Sequence, residues 1–382
     1  MTHSNKLKKV KIMFVIDFIY KTTGGTENQL VKLINNLDSD KYEIYLLSLR
    51  NTPWIIENRN KLKSEVKAFN YNVFNHKDLG NIISFFKITK YIKEVNPDIL
   101  LTYFRTSYIL GTFAARLAGI GNIISTRRDY GLWLDDKRYI YILKLANKFV
   151  RGIIVNSHAV KELTSRKEKF DDSRIYVIYN GIDIDNFKHN GNSRESLKQK
   201  LGIPLNHCVV GIVAGLRPMK RHVTFLKAAE RILKEKNNKH FVIVGDGPLR
   251  KDLEELSKEL GIYEHIHFVG WQRDVIPYLS IFDIGVNCSS NEGLSNAIME
   301  YMAYGIPCIV SRAGGNEELI KNGVNGLTFE LDNDEHLANM VIMLLENDKM
   351  KKEFVESSRK IIENEFSVER MIENYDRLFG SI

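Results

Sequence analysis

Short runs of β-branched and aliphatic residues alternate with amphipathic helical stretches along both halves of this chain, and no other feature constrains its fold as strongly. In the first half the strand-like runs are KVKIMFVI (9–16), YEIYLLSL (42–49), DILLTYF (98–104), NIIST (122–126), GIIVNS (152–157) and IYVIYN (175–180). Between several of them lie helical stretches such as ENQLVKLINNL, NIISFFKITKYIKEV and TSYILGTFAARLAG. The second half repeats the scheme with CVVGIVAG (208–215), HFVIVGDG (240–247), HIHFVG (265–270), DIGVNCS (283–289), PCIVS (307–311) and NGLTFE (325–330). Helices are expected near 221–236, 249–260, 295–304 and 334–347. Apolar strands separated by helices pair in parallel and are covered on both faces. Two such series in 382 residues predict an α/β protein of two Rossmann-like domains with parallel sheets.

The expected boundaries are an N-terminal domain over 1–182, a polar linker over 183–206 and a second domain over 207–360. A C-terminal helical segment follows over 361–382. The hydrophobic fraction of 44% is ordinary for a soluble globular chain. No apolar run approaches the roughly 18 residues of a membrane span, and the start MTHSNKLKKVKIMFVIDF lacks a leader cleavage pattern. A cytoplasmic protein is therefore expected, and Cys208, Cys288 and Cys308 read as reduced thiols without metal-ligand spacing. Charge is unevenly shared. Residues 1–190 carry 31 Lys+Arg against 19 Asp+Glu, net +12, and the remainder carries 24 against 28, net −4. The basic half reads either as a surface that meets an anionic partner, including the inner face of a cell membrane, or as a solvated lysine-rich face. It lacks the basic-aromatic interleaving of a nucleic-acid binder.

Several segments carry candidate chemistry. In VIDFIYKTTGGTENQL a strand ends near Asp17, and Gly24-Gly25 precede a helix opening at Thr26. This is either a capped tight turn or a place where backbone amides receive phosphate. It is not the G-x-G-x-x-G pattern, which disfavours a nicotinamide cofactor. VAGLRPMKRH (213–222) places Arg217, Lys220 and Arg221 in a loop after a strand, either as surface charge or as cations for a departing diphosphate. In NCSSNEGLSNAIMEYMAYGIPCIVSRAGG, Glu292 lies in a loop, Ser295 is a candidate helix cap and Glu300 lies one turn into the helix. The two carboxylates either complement the helix dipole or accept hydrogen bonds from sugar hydroxyls flanking a diphosphate.

Together GGTE, GLRPMK, GDGP, FVGW, EGLSNAIME, GIPCIVSRAGG and NGLTF, in this order and spacing, resemble the retaining glycosyltransferases of family 4. The resemblance covers nearly the whole chain and is most specific at EGLSNAIME. It implies the GT-B fold, with two parallel-sheet domains facing across a deep cleft and a last helix, here SVERMIENYDRLF, crossing back to the first domain. It implies that Glu292 faces the donor sugar, that Glu300 meets the nucleotide ribose, and that the amides of Gly293, Leu294, Ser295 and Asn296 contact sugar and diphosphate. Lys220 matches the family's phosphate-binding lysine, Gly24 and Gly25 its loop over the same diphosphate, and the stretch from Trp271 through Arg273 to Asp274 its base-receiving region. Gly215 stands where the family often has an arginine, with Arg217 nearby. Leu294-Ser295 replace its aromatic-glycine pair. No histidine stands in LLTYFRTS or ISTRRDYG, where the family commonly offers one, leaving Tyr103, Arg105, Arg127, Arg128 and Asp129 for the acceptor side.

The resemblance further implies a retaining transfer of a hexose or N-acetylhexosamine to a saccharide or lipid-linked acceptor in surface glycan synthesis, with Lys220, Glu292 and Arg217 as catalytic candidates. UDP-sugars are favoured over GDP-mannose as donor. A 2-epimerase of the same fold is the enzymatic alternative, and a basic nucleic-acid-binding protein the non-enzymatic one. No cofactor or metal is expected. The Asp-x-Asp pairs at Asp38/Asp40, Asp183/Asp185 and Asp332/Asp334 lie in polar segments and are not read as metal sites.

Overall fold

The computed structural model describes residues 8–20, 25–73, 80–129, 137–187 and 193–382. The chain forms two compact units, one of Met1–Gly181 with Val368–Ile382 and the other of Ile182–Ser367.

Unit 1 is built on a seven-stranded sheet. Its strands are β1 (Val10–Ile16), β2 (Tyr42–Ser48), β3 (Glu65–Ala68), β4 (Ile99–Tyr103), β5 (Ile123–Arg127), β6 (Gly152–Val155) and β7 (Ile175–Val177). They lie in the order β3-β2-β1-β4-β5-β6-β7 and pair in parallel throughout. Successive residues of β1 serve opposite layers, as a strand's twofold period requires. Met13 and Val15 join a core with Ile88, Ile92, Tyr108, Ala114 and Leu143, whereas Ile12, Phe14 and Ile16 join one with Leu30, Leu33, Tyr375 and Phe379. The helix Val368–Gly380 thus completes one face of unit 1, burying Met371, Tyr375, Leu378 and Phe379. Asp376 fastens it by accepting from Lys41 Nζ at 2.8 Å and from the Tyr42 hydroxyl at 2.7 Å.

Unit 2 holds a six-stranded parallel sheet of β8 (Cys208–Val213), β9 (Lys239–Val244), β10 (Ile266–Gly270), β11 (Ile284–Asn287), β12 (Cys308–Ser311) and β13 (Leu327–Phe329). Its order, β10-β9-β8-β11-β12-β13, reverses winding direction between β8 and β11. The helix Ser193–Lys200, inside the segment read as linker, belongs to this unit. Arg194 donates to the Ser280 carbonyl and to Asp283 Oδ1, both at 2.8 Å, and buried Lys198 donates to the carbonyls of Leu205 and His207. Cys288 and Cys308 are buried and all three cysteines are free, with burial pushing both of those thiols up.

Two facing glycines make room for aromatic rings on this sheet, and one of them seats the helix Asn296–Tyr304. Gly211 and Gly285 are register partners on β8 and β11. A Cβ at Gly285 would lie 2.6 Å from the Tyr301 ring, and one at Gly211 would lie 2.0 Å from the Phe282 ring. The Tyr301 hydroxyl accepts from the Val213 amide at 2.7 Å, so the ring is pinned at both ends of its slot. Gly285→Ala should cost about 1–3 kcal/mol by overpacking, seen as a lower melting temperature at unchanged secondary structure.

Four histidines gather at the opposite, amino edge of the same sheet. His240 Nδ1 lies 2.9 Å from His267 Nε2, and His240 Nε2 lies 3.2 Å from His207 Nδ1. The His265 ring centroid is 5.1 Å from that of His240. Burial first, then the neighbouring imidazoles and Lys198, hold His240 down at about 4; burial and His265 lower His267 as well. Between the ordinary histidine value near ~6.5 and about 4, the unfolded chain binds protons that the folded one refuses, so stability falls as pH falls through that window. A drop in melting temperature from about pH 7 to about pH 5 is expected, with a shallower drop in His240→Gln.

Candidate functional site

The carboxyl ends of the unit 2 strands carry a continuous set of loops, each hydrogen-bonded to the next. Gly245 N donates to the Gly270 carbonyl at 2.9 Å and Leu216 N to the Asp246 carbonyl at 3.0 Å. Ser290 N donates to the Met219 carbonyl at 2.8 Å, and Gly315 N to the Glu292 carbonyl at 3.0 Å. A Cβ on Gly315 would lie 1.9 Å from the Gly293 carbonyl oxygen, so only glycine permits this approach. The loops after β8 and β11 meet where the winding reverses, the position at which open α/β sheets bind ligands.

At that meeting point Lys220 Nζ donates to Glu292 Oε1, with both side chains largely buried. Ser289 Oγ donates to the same Glu292 oxygen at 3.1 Å. Lys220 closes a 3-10 turn, Pro218–Lys220, that ends in Arg221 with φ +51°. The adjacent His222 is buried and held down at about 4 by burial and by the Lys220 charge, so it stays neutral beside the ammonium. The Asn291 side-chain oxygen is buried without a partner.

The helix Asn296–Tyr304 begins beside this pair. Ser295, expected to cap it, does not: its Oγ instead receives the Asn287 side-chain amide at 3.0 Å. Asn287 is itself fixed, accepting from Ser289 N at 3.0 Å and from Asn316 Nδ2 at 3.5 Å. A helix start carries a partial positive charge that suits an anion. Gly293, Leu294 and Ser295 are buried, whereas Asn296 and Glu300 are half-buried. Arg217 is exposed and its side chain has no partner among the described residues, while Trp271 and Arg273 follow β10 in exposed positions.

Unit 1 has its own hollow of about 250 Å³ at the carboxyl ends of β1, β4 and β5, lined among others by Asp17, Thr26, Phe104, Arg105, Arg128 and Asp129. Asp17 accepts from Ser107 N and Oγ and from Thr106 N, at the start of the helix Arg105–Leu117. Phe104, at the turn from β4 into that helix, has φ +71° and ψ 163°, a region that side-chain-bearing residues rarely occupy and that costs about 1–3 kcal/mol. The Arg105 guanidinium stacks 4.1 Å from the Tyr139 ring centroid.

Residues 23–186 match the model for Glycosyltransferase Family 4, and residues 193–361 match that for Glycosyl transferases group 1. This chain belongs to that glycosyltransferase family. The enzyme is 28% identical to the UDP-Gal:alpha-D-GlcNAc-diphosphoundecaprenol alpha-1,3-galactosyltransferase of Escherichia coli, over 99% of this chain and 97% of the relative. It is 25% identical to a Campylobacter jejuni PP-undecaprenol alpha-1,4-N-acetyl-D-galactosaminyltransferase, over 97% of this chain and 99% of that one. Anabaena HepE, solved in complex with UDP and glucose, shares the fold with a TM-score of 0.85 at 22% identity, over 98% of this chain and all of that one.

Of the residues singled out in the glycosyltransferase sequence, Lys220, Glu292, Gly293, Leu294, Ser295 and Asn296 come together at one junction of unit 2. Gly25 opens the helix Gly25–Asn36, and Gly24 lies outside the described residues. The acceptor-side candidates divide. Arg105 and Arg128 line the unit 1 hollow. Tyr103 does not: it is fully buried, because its position on β4 turns it into the layer covered by Val368–Gly380, with the Arg128 guanidinium 5.6 Å from its ring centroid. Arg127 borders the hollow with its guanidinium already engaged by Glu168 through two bonds of 2.6 and 2.8 Å, and it lies 4.0 Å from the Tyr108 ring centroid. Arg128 is also partly engaged, donating to Asn180 Oδ1 and to the Tyr375 hydroxyl. Phe104 escaped notice because its distinction is a backbone angle, and Asp17 because a lone acid at a strand end carries no motif. Arg127→Met should destabilise unit 1 by about 3–5 kcal/mol by leaving Glu168 buried without its counter-charge, a loss read by chemical denaturation.

Proposed function

We propose that the enzyme is a retaining glycosyltransferase that moves a hexose or N-acetylhexosamine from a nucleotide-sugar, with UDP-sugars favoured, to a saccharide or lipid-linked acceptor in glycan synthesis. The observation that carries the reading is the Lys220–Glu292 pair beside the start of Asn296–Tyr304, which the Ser295 side chain does not cap. An ammonium and backbone amides converging on one spot suit a diphosphate. A carboxylate beside them, held by a lysine and a serine, suits sugar hydroxyls. Names of relatives support the same class, since the Escherichia coli enzyme acts from UDP-Gal on a diphosphoundecaprenol-linked sugar.

In this mechanism the bond between the anomeric carbon and the phosphate oxygen breaks, and the electron pair leaves with the nucleoside diphosphate. Lys220, exposed Arg217 and the amides from Gly293 to Asn296 stabilise the growing charge, with no metal called for. A donor of this kind is worth about 3–4 kcal/mol in the transition state. The acceptor oxygen forms the new bond on the face the phosphate leaves, and its proton passes to the departing phosphate. Glu292 orients the sugar, Glu300 receives the ribose hydroxyls, and Trp271 with Arg273 borders the base. In unit 1, Arg105 and Asp129 line a hollow suited to the phosphate and hydroxyls of an acceptor.

A thermal-shift panel of UDP- and GDP-sugars on wild type, Lys220→Ala and Glu300→Ala tests this reading. A ligand at about a hundred times its dissociation constant stabilises by about 2.7 kcal/mol, and each variant should lose most of that shift. If no nucleotide-sugar stabilises the wild type, the transferase mechanism at this site is wrong. A shift that survives in Glu300→Ala removes only the ribose assignment. Sugar release or epimerisation without an acceptor would point to the epimerase.

A further inference from the structure

We infer that Asn287 is a positioning residue of the donor site: its side-chain amide draws the Ser295 hydroxyl away from the start of Asn296–Tyr304, so that the serine does not occupy the amides a phosphate would meet. The inference rests on the donor reading of this junction.

Ser295 has what a helix cap requires except the bond itself. Its backbone is extended, at φ −81° and ψ 113°, and its carbonyl accepts the first intrahelical bond, from Met299 N at 3.3 Å. A serine so placed ordinarily turns its oxygen to the amide two or three residues on, here that of Ala297 or Ile298. Ser295 makes no such bond. Its oxygen is held instead by Asn287 Nδ2 at 3.0 Å, with both residues buried.

The direction of that bond is fixed from behind. Ser289 N can only donate, so the Asn287 end that meets it at 3.0 Å is the oxygen, and the nitrogen end must face Ser295. The Ser311 carbonyl can only accept, so the Asn316 end that meets it at 3.2 Å is the nitrogen. The same nitrogen reaches Ser311 Oγ at 3.3 Å and Asn287 Oδ1 at 3.5 Å. Ser311 Oγ gives its own proton to the Ser289 carbonyl at 2.6 Å. Asn316 and Ser311 are fully buried, so the side chains behind Asn287 are shielded from solvent. The polar cluster joins the ends of β11 and β12 to the starts of Asn316–Leu319 and Asn296–Tyr304.

Without the Asn287 amide, Ser295 Oγ turns to the helix start and caps it, and a diphosphate then has to displace that bond. A typical cap bond corresponds to about fivefold in an equilibrium constant, and donor binding weakens by that factor.

The test is isothermal titration of UDP and of GDP into full-length wild type, Asn287→Ala, Ser295→Ala and the double variant. The nucleotide that wild type binds should bind Asn287→Ala about fivefold more weakly. In the Ser295→Ala background the same change should add no further loss, because no hydroxyl remains to form the cap. A merely structural role for Asn287 predicts an equal loss in both backgrounds. Should Asn287→Ala fail to fold, Asn287→Ser takes its place, since its hydroxyl can still accept from Ser289 N while the shorter side chain does not reach Ser295. The inference is overturned if Asn287→Ala binds as wild type does, or if its loss persists without the Ser295 hydroxyl. Both outcomes leave the donor reading intact, because wild type still binds. If wild type binds neither nucleotide, the donor reading and this inference fail together.

Discussion

The ring of Tyr301 lies in a slot that exists because β11 carries a glycine, Gly285, beneath it, while its register partner Gly211 on β8 makes room for the Phe282 ring. The placement of unit 2's candidate site residues follows from that fit. With its hydroxyl bonded to the last amide of β8, the ring sets the height and rotation of Asn296–Tyr304 over the place where the winding reverses. The helix start then falls beside the loop that brings Lys220, and the intervening loop is drawn tight by the contact of Gly315 with Gly293. A side chain larger than hydrogen at Gly285 or Gly315 would move the amides relative to the ammonium. Electrostatic stabilisation works only when such groups are in place before charge develops.

Unit 1 depends on a different kind of interaction. Arg127 and Glu168 form a buried bidentate pair, and Arg128 joins Asn180 to Tyr375 of the last helix. These cations lie one residue apart at the end of β5, and the pleat sends them to opposite layers. One ties down the helix His158–Glu168 and the other the helix Val368–Gly380. Sequence alone offers two adjacent arginines at a strand end, which read equally well as ligands or as struts.

Where residues in the sequence had to satisfy a regular period, their structure was legible. The long apolar runs became twelve strands displaced by a few residues at their ends, since both faces of each had to be covered. The missed strand, Glu65–Ala68, is a four-residue edge strand reading EVKA, too short and charged to show a period. The helix Lys137–Asn147 does not stand out in the sequence because its two sides are both apolar in part, which blurs the expected contrast. At the site, the family resemblance singled out Lys220 and Glu292, whose side chains the structure brings together. The true partner of Ser295 was not legible, because it depends on Asn287 eight residues earlier on a different element. Phe104 left no mark in composition at all, since its rarity is conformational.

The last helix belongs to unit 1 although all of unit 2 separates it from the rest of that unit. During synthesis, therefore, the layer holding Ile12, Phe14 and Leu30 waits uncovered on the ribosome while unit 2 is being made. Unit 2 is contiguous and can close first, so the order of maturation is the reverse of the order in which the two units begin. A nascent chain with its oily flank still bare is the form most in need of a chaperone.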